Sequence, residues 1–167
     1  MNFKLRPWRK DDLDSLVKHA NNANIARNIT DRFPHPYTLE AGEQFIELTT
    51  SPENLDRFRV IEVDGEFAGG IGIHPHDDIF RLNAEIAYWL TEPLWNKGII
   101  TKAIQEMIHY GFTHFGVTRI FGTVLGSNLG SQRVLEKAGF TLENKISDSI
   151  IKYEKVEDCL IYGIRNV

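Results

Sequence analysis

Tyr88-Trp89-Leu90-Thr91-Glu92-Pro93-Leu94-Trp95-Asn96-Lys97-Gly98-Ile99-Ile100-Thr101 is the stretch on which the reading of this chain turns. A strand ends in it, a short loop follows, and a helix begins at about Ile99. The first turn of a helix leaves backbone N–H groups without partners and carries the positive end of the helix dipole. A pyrophosphate needs both. Gly98 lets a ligand approach the backbone, and Lys97 adds positive charge. One glycine in such a place is also compatible with an ordinary strand-to-helix connection, so the flanking pattern must decide.

Upstream, residues 81–90 read as the longest strand. Leu82, Ala84, Ile86, Tyr88 and Leu90 alternate with Asn83, Glu85, Ala87 and Trp89, which separates two faces. Downstream, residues 99–114 read as an amphipathic helix with Ile100, Ala103, Ile104, Met107, Ile108 and Phe112 as its stripe. Residues 118–125 are the next strand, and the strand–helix–strand step predicts a parallel, right-handed crossover. A helix over 128–138 turns Val134, Leu135 and Ala138 inward and stops at Gly139. Residues 140–143 and about 158–164 complete the sheet. Toward the N-terminus, a strand at 3–8 precedes a helix capped by Asp11 or Asp12 and carrying Leu13, Leu16, Val17 and Ala20. Asn21-Asn22-Ala23-Asn24 breaks that helix, with one more turn over 25–28. Pro34 and Pro36 stiffen the loop that follows. Thr38 caps a helix with Ala41, Phe45, Ile46 and Leu48, which ends near Ser51-Pro52. Strands 58–63 and 66–73 flank an Asp64-Gly65 turn, and Gly69, Gly70 and Gly72 predict a bulge or close backbone approach. The order β-α-α-β-β-β-α-β-α-β-β predicts an α/β (α+β) fold. Its sheet is mixed, mostly antiparallel and six- to seven-stranded, with about four flanking helices. No linker or repeat divides residues 1–167, which are expected to form a single domain.

Composition narrows the function. The chain has 167 residues and a net charge of -4, which disfavours a nucleic-acid binder that relies on a basic surface. Cys159 stands alone, so no internal disulfide forms, and a cytoplasmic protein is expected. MNFKLRPWRKDD turns polar at once, which predicts no signal peptide. No apolar run approaches the roughly 20 residues of a membrane helix, so no membrane partner is expected. His74-Pro75-His76-Asp77 imitates a metal site, but Pro75 and the turn favour a surface loop, and no metal is expected.

Two later features support the phosphate loop. Asn128-Leu129-Gly130-Ser131 opens one helix, and Leu135-Glu136-Lys137-Ala138-Gly139-Phe140 closes it. Asn128 or Ser131 alone would serve as a helix cap. Taken with Glu85-Ile86-Ala87-Tyr88-Trp89-Leu90 and Trp95-x-Lys97-Gly98-Ile99, they fall in the order and spacing of the GNAT N-acetyltransferases, which the chain resembles over nearly its whole length. Leu5-Arg6-Pro7 and Asp158-x-x-x-Tyr162 resemble the branch containing the ribosomal-protein N-terminal acetyltransferases.

The resemblance implies a sheet splayed between its fourth and fifth strands, with acetyl-CoA as co-substrate. The family's phosphate loop corresponds to Trp95, Asn96, Lys97, Gly98, Ile99, Ile100 and Thr101. Trp95 replaces a polar residue, and Ile100 replaces a small one and narrows the approach. The pantetheine arm is implied to pair with the backbone of Tyr88, Trp89, Leu90 and Thr91, with Asn128 bonding it from the other side. Chemistry then requires a base for the amine, a donor for the oxyanion and help for the departing thiolate. Glu85 is the candidate base, its pKa raised if it is partly desolvated; the competing reading is a structural carboxylate. The Leu90 N–H is the candidate oxyanion donor. The family's tyrosine acid corresponds to Leu135, which leaves Ser131 and the helix dipole at the sulfur. Phe33, His35 and Tyr37 are candidates for an aromatic wall at the acceptor, or else pack beneath their loop. The expected partner is an amine substrate, a small molecule or a protein N-terminus, and the chain is expected to be a monomer or homodimer. Acetylation of a polyamine or aminoglycoside, and a CoA-binding sensor without catalysis, are the alternatives.

Overall fold

A computed structural model describes all residues, Met1–Val167. Seven strands hydrogen-bond in the order β1-β2-β3-β4-β5-β7-β6. They are β1 (Phe3–Arg6), β2 (Phe58–Val63), β3 (Glu66–Pro75), β4 (Asn83–Leu90), β5 (Arg119–Leu125), β6 (Thr141–Lys152) and β7 (Lys155–Arg165). The helices are α1 (Leu13–Ala20), α2 (Ala23–Ala26), α3 (Leu39–Thr50), α4 (Ile99–Phe115) and α5 (Leu129–Ala138). The chain groups into two compact units: Met1–Gly72 with Tyr88–Ile99, and Ile73–Ala87 with Ile100–Val167.

In the first unit β1, β2 and β3 are successive antiparallel partners. The sheet packs on α1 and α3 through Trp8, Leu16, Ala20, Tyr37, Ile46, Val60 and Phe67. Edge-on ring contacts, Trp8 to Phe45 at 5.1 Å and Phe45 to Phe58 at 5.9 Å, fill the space between. Asp12 stands at the N-cap of α1 without a side-chain capping bond, contrary to the expectation that Asp11 or Asp12 caps it. Its carboxylate is engaged elsewhere. It takes both terminal nitrogens of Arg6, at 2.9 and 2.7 Å, and the Arg9 N–H at 2.8 Å. Arg6 also donates to Glu62, which Lys4 reaches at 2.8 Å. The Lys4 and Arg6 bonds hold the Glu62 carboxyl below the usual carboxylate range. Thr38 does cap α3, accepting from the Ala41 N–H at 3.1 Å. Leu48, expected on its apolar stripe, is exposed, and Thr49 is buried in its stead with its hydroxyl bonded to the Phe45 carbonyl at 2.9 Å.

A bulge shapes β3. Ile61 faces Gly69 and Glu62 faces Phe67, so Ala68 is the extra residue. Beside it a Cβ on Gly69 would overlap the Trp89 carbonyl oxygen and lie 3.0 Å from the Leu90 Cα. Only glycine lets these two backbones meet.

In the second unit β4 and β5 run parallel for three pairs, Asn83–Arg119, Ala84–Ile120 and Glu85–Phe121. The ladder ends there, as the splayed sheet requires, while β5 pairs with β7 along its whole length. The parallel step needs the long return through α4, whose Ala103, Ile104, Met107 and Ile108 are buried. Gly111 brings α4 close: a Cβ there would lie 2.7 Å from Ile73 and 2.9 Å from Ile120. β4 has 8 residues and is not the longest strand; Arg81 and Leu82 stand outside it, and Leu82 is exposed. The longest is β6, with 12 residues. The last two strands, expected at 140–143 and about 158–164, extend toward each other into one long hairpin of β6 and β7. From Thr141 to Ser149 β6 is exposed on both faces, so no apolar alternation marks it in the sequence.

Gly69→Ala is expected to cost about 1–3 kcal/mol, the usual penalty for overpacking. Thermal denaturation should show a fall in Tm of several degrees. Gly130→Ala, at a helical position where a Cβ would meet only the Asn128 Oδ1 at 3.7 Å, is expected to be neutral or mildly stabilising. Equal Tm values for the two variants would contradict the close approach of β3 to β4.

Candidate active site

In the first unit the site is built at the end of β4. The Thr91 N–H donates to the Ala68 carbonyl at 2.8 Å. Polar groups of a strand alternate between its two edges, so the Leu90 N–H and C=O lie on the edge away from β3. The chain then turns through a 3₁₀ segment, Glu92–Leu94, with Leu94 N–H to Thr91 C=O and Trp95 N–H to Glu92 C=O, both at 3.0 Å. The Trp95 indole N–H reaches back to the Leu90 carbonyl at 2.8 Å. That carbonyl thus accepts one bond from within the loop and keeps a second lone pair. Glu92 accepts from Asn22 Nδ2 at 2.8 Å and Asn24 Nδ2 at 2.9 Å, bonds that hold its carboxyl below the usual range. The Asn22 Oδ1 meanwhile caps α2 through the Asn24 and Ile25 N–H groups.

The loop into α4 has the backbone a phosphate cradle needs. Asn96 sits at φ 60° and Gly98 at φ 76°. Asn96, Lys97 and Gly98 are exposed, and no atom lies within 4 Å of a Cβ built on Gly98. The backbone at Gly98 is thus open to a ligand, and a helix of 17 residues begins at the next position. Ile99 is buried; Ile100 and Thr101 are half-buried. The donor set of free helix N–H groups, a lysine and an open glycine fits the pyrophosphate of acetyl-CoA.

Also in the first unit, Phe33 lies 5.0 Å from the Tyr37 ring and 5.6 Å from Trp89. Tyr37 is buried in the core, and burial pushes its hydroxyl up to about 12. It belongs to the packing under the loop and does not offer an accessible wall. Phe33 and Trp89 are half-buried, and His35 is exposed.

In the second unit Glu85 is half-buried on β4, opposite Phe121. Burial, and secondarily the charge of Glu85, push the Cys159 thiol up. Asn128 stands at the N-cap of α5, its Oδ1 accepting the Ser131 N–H at 3.1 Å. Ser131 is half-buried. Leu135 is fully buried, its Cδ1 near Gly122, so it is core and carries no proton. Next to it on α5, Glu136 accepts from the Tyr162 hydroxyl at 3.1 Å. Two arrangements escape a reading of the sequence. The Trp95–Leu90 bond depends on a side chain folding back five positions. The grip of Asn22 and Asn24 on Glu92 joins residues about 70 apart, although the Asn21-Asn22-Ala23-Asn24 cluster was visible as a helix break.

A family profile, "Acetyltransferase (GNAT) domain", matches residues 2–141. The chain belongs to the GNAT acetyltransferase family. It is an acyltransferase, and acetyl-CoA is the co-substrate its family uses. YdaF of Bacillus subtilis, provisionally named a ribosomal N-acetyltransferase, is 33% identical over 101 residues, which cover 60% of this chain and 55% of YdaF. The chain thus matches little more than half of that relative's length. The spermidine N(1)-acetyltransferase of Escherichia coli K12 is 28% identical over 148 residues, 86% of this chain and 75% of that protein. The structure of Mycobacterium smegmatis RimJ in complex with CoA-disulfide superposes with a TM-score of 0.82 at 25% identity, covering 98% of this chain and 81% of that one. No helix is long and apolar enough to cross a membrane.

Gly98→Asn tests the loop. Asparagine tolerates the positive φ of Gly98, so the variant is expected to fold with little change in Tm. Its side chain occupies the open approach to the backbone, and acetyl-CoA affinity is expected to fall about tenfold or more, a difference of about 1.4 kcal/mol. Calorimetric titration measures it; an unchanged Kd in the folded variant would remove the phosphate site from this loop.

Proposed function

We propose that the chain transfers the acetyl group of acetyl-CoA to a primary amine by direct attack in a ternary complex. The acceptor is a peptide or protein N-terminal α-amine, or a small amine. The observation that carries this reading is the end of β4, where the tie from Thr91 to Ala68 leaves the Leu90 N–H on the opposite edge, followed by a loop suited to a pyrophosphate. We read residues 1–167 as one catalytic domain, since the family profile runs through both compact units. A single cysteine that is free and buried suits a cytoplasmic enzyme.

The chemistry asks three things of the protein. The amine attacks as a neutral nucleophile, yet α-amines have pKa values of about 8 and alkyl amines about 10. In this reading Glu85 takes the proton, directly or through water. As the amine nitrogen bonds to the thioester carbon, the oxygen gains charge and the Leu90 N–H meets it. The C–S bond then breaks, and the thiolate takes a proton from the Ser131 hydroxyl or from solvent. A thiol with a pKa of about 8.5 is a fair leaving group, so the loss of a tyrosine acid at Leu135 does not by itself rule out turnover. The backbone of Tyr88, Trp89, Leu90 and Thr91 serves the pantetheine arm from one side, and Asn128 bonds it from the other. Phe33 and His35 face the acceptor side.

The relatives name two acceptor classes, ribosomal and spermidine. No run of carboxylates in the sequence marks a polyamine groove, so we favour the peptide amine. Thiol release from acetyl-CoA with N-terminal peptides, spermidine and aminoglycosides measures the preference. No release with any amine would favour a CoA-binding sensor. With the best acceptor, Glu85→Gln is expected to lower kcat by about 10²–10⁴-fold near neutral pH, with little change in acetyl-CoA affinity. Raising the pH should restore part of the rate, because more of the amine is then deprotonated. Near-normal turnover in the folded variant would sink Glu85 as the base.

A further inference from the structure

The Leu90–Thr91 peptide is held at both polar ends. Its N–H, on Thr91, donates to Ala68 at 2.8 Å, and its C=O, on Leu90, accepts from the Trp95 indole at 2.8 Å. The preceding carbonyl, on Trp89, lies against Gly69 where no Cβ would fit. A trans peptide points its C=O and N–H in opposite directions, so the Leu90 N–H points away from β3. In an extended residue the N–H and C=O share one edge. The Trp95 indole and the Leu90 N–H are therefore neighbours on the same edge of β4.

We propose that Trp95 is a positioning residue: by holding the Leu90 carbonyl, its indole fixes the Leu90 N–H in the orientation that receives the thioester oxygen. This inference rests on the reading of Leu90 as oxyanion donor. Two physical effects follow from the bond. It removes rotational freedom of the Leu90 peptide, so the donor is oriented before charge develops. It also satisfies an acceptor that would otherwise stand unpaired beside the oxyanion. Trp95 is half-buried, and a partly buried indole N–H seeks a partner of this kind. The segment between them has little slack. The 3₁₀ turn is closed by the Leu94 and Trp95 N–H groups, and Glu92 within it is anchored by Asn22 and Asn24. The phosphate loop that starts at Trp95 and the donor at Leu90 are thereby fixed to each other.

Trp95→Phe keeps an aromatic ring but removes the pyrrole half of the indole with its N–H. Three quantities are measured: the infrared carbonyl stretch of bound acetyl-CoA isotope-labelled at the acetyl carbonyl, the acetyl-CoA Kd, and kcat with the best amine. The wild-type protein is expected to lower the carbonyl frequency below that of free acetyl-CoA. The variant is expected to lose most of that shift and about 10- to 100-fold in kcat, less than the loss of an oxyanion donor outright. Its Kd is expected to stay within about threefold, because the phosphate amides remain. If Trp95→Phe fails to fold, a benzothienylalanine at position 95, isosteric with tryptophan but without the N–H, gives the same readout. A variant with the wild-type carbonyl shift and kcat overturns the role of Trp95. A wild-type protein that leaves the carbonyl frequency unshifted overturns the Leu90 donor reading itself, and the role of Trp95 with it.

Discussion

The contact between the backbones of Gly69 and Trp89 is the constraint on which the site depends. A side chain at position 69 would separate β3 from β4 at the point where β4 must end. Because glycine stands there, the bulge at Ala68 can offer its carbonyl to Thr91, and that bond fixes which edge of β4 carries the Leu90 N–H. The turn, the indole bond and the loop into α4 all follow from where Thr91 is held. The local geometry at the end of β4 is thus set by packing on β3.

The charged groups sort in the same spirit. Arg6, Asp12 and Glu62 are nearly buried, with 11%, 7% and 10% of their side chains exposed. Their bonds hold Arg6 well above its usual range, Asp12 above all, and hold Glu62 ionised. Breaking such a set by removing one partner typically costs about 3–5 kcal/mol, since an uncompensated charge remains. It joins β1, β2 and the entry to α1, and is a structural brace. Glu143 is another brace. It pairs with Arg119 and packs so tightly on Gly163 that a methyl there would displace it.

Much of this was legible in the chain itself. The β2–β3 hairpin, the α4 stripe, the Thr38 cap, the Asn128 position and the Gly139 stop rest on interactions among residues a few positions apart. Alternation, helical spacing and capping chemistry report such interactions directly. The motif set also carried the family, since spacing along β4, α4 and α5 is a one-dimensional property. Other features were hidden for definite reasons. The long β6–β7 hairpin shows no alternation because β6 is solvated on both faces. Leu48 matched an apolar stripe that the helix did not turn inward. Asp12 looked like a cap, but Arg6, six residues earlier, claimed its carboxylate.

By itself the sequence determined the order and type of most elements, the family and the acyl-transfer chemistry that the family performs. All of these are encoded in local pattern and residue spacing. Only the tertiary structure decided that Tyr37 belongs to the core, that the Leu90 carbonyl is spoken for by Trp95, and that Glu92 is gripped by Asn22 and Asn24. The last two outcomes depend on which side chain reaches a given polar atom. That competition is settled in space among residues five to seventy positions apart, where sequence spacing carries no information about distance.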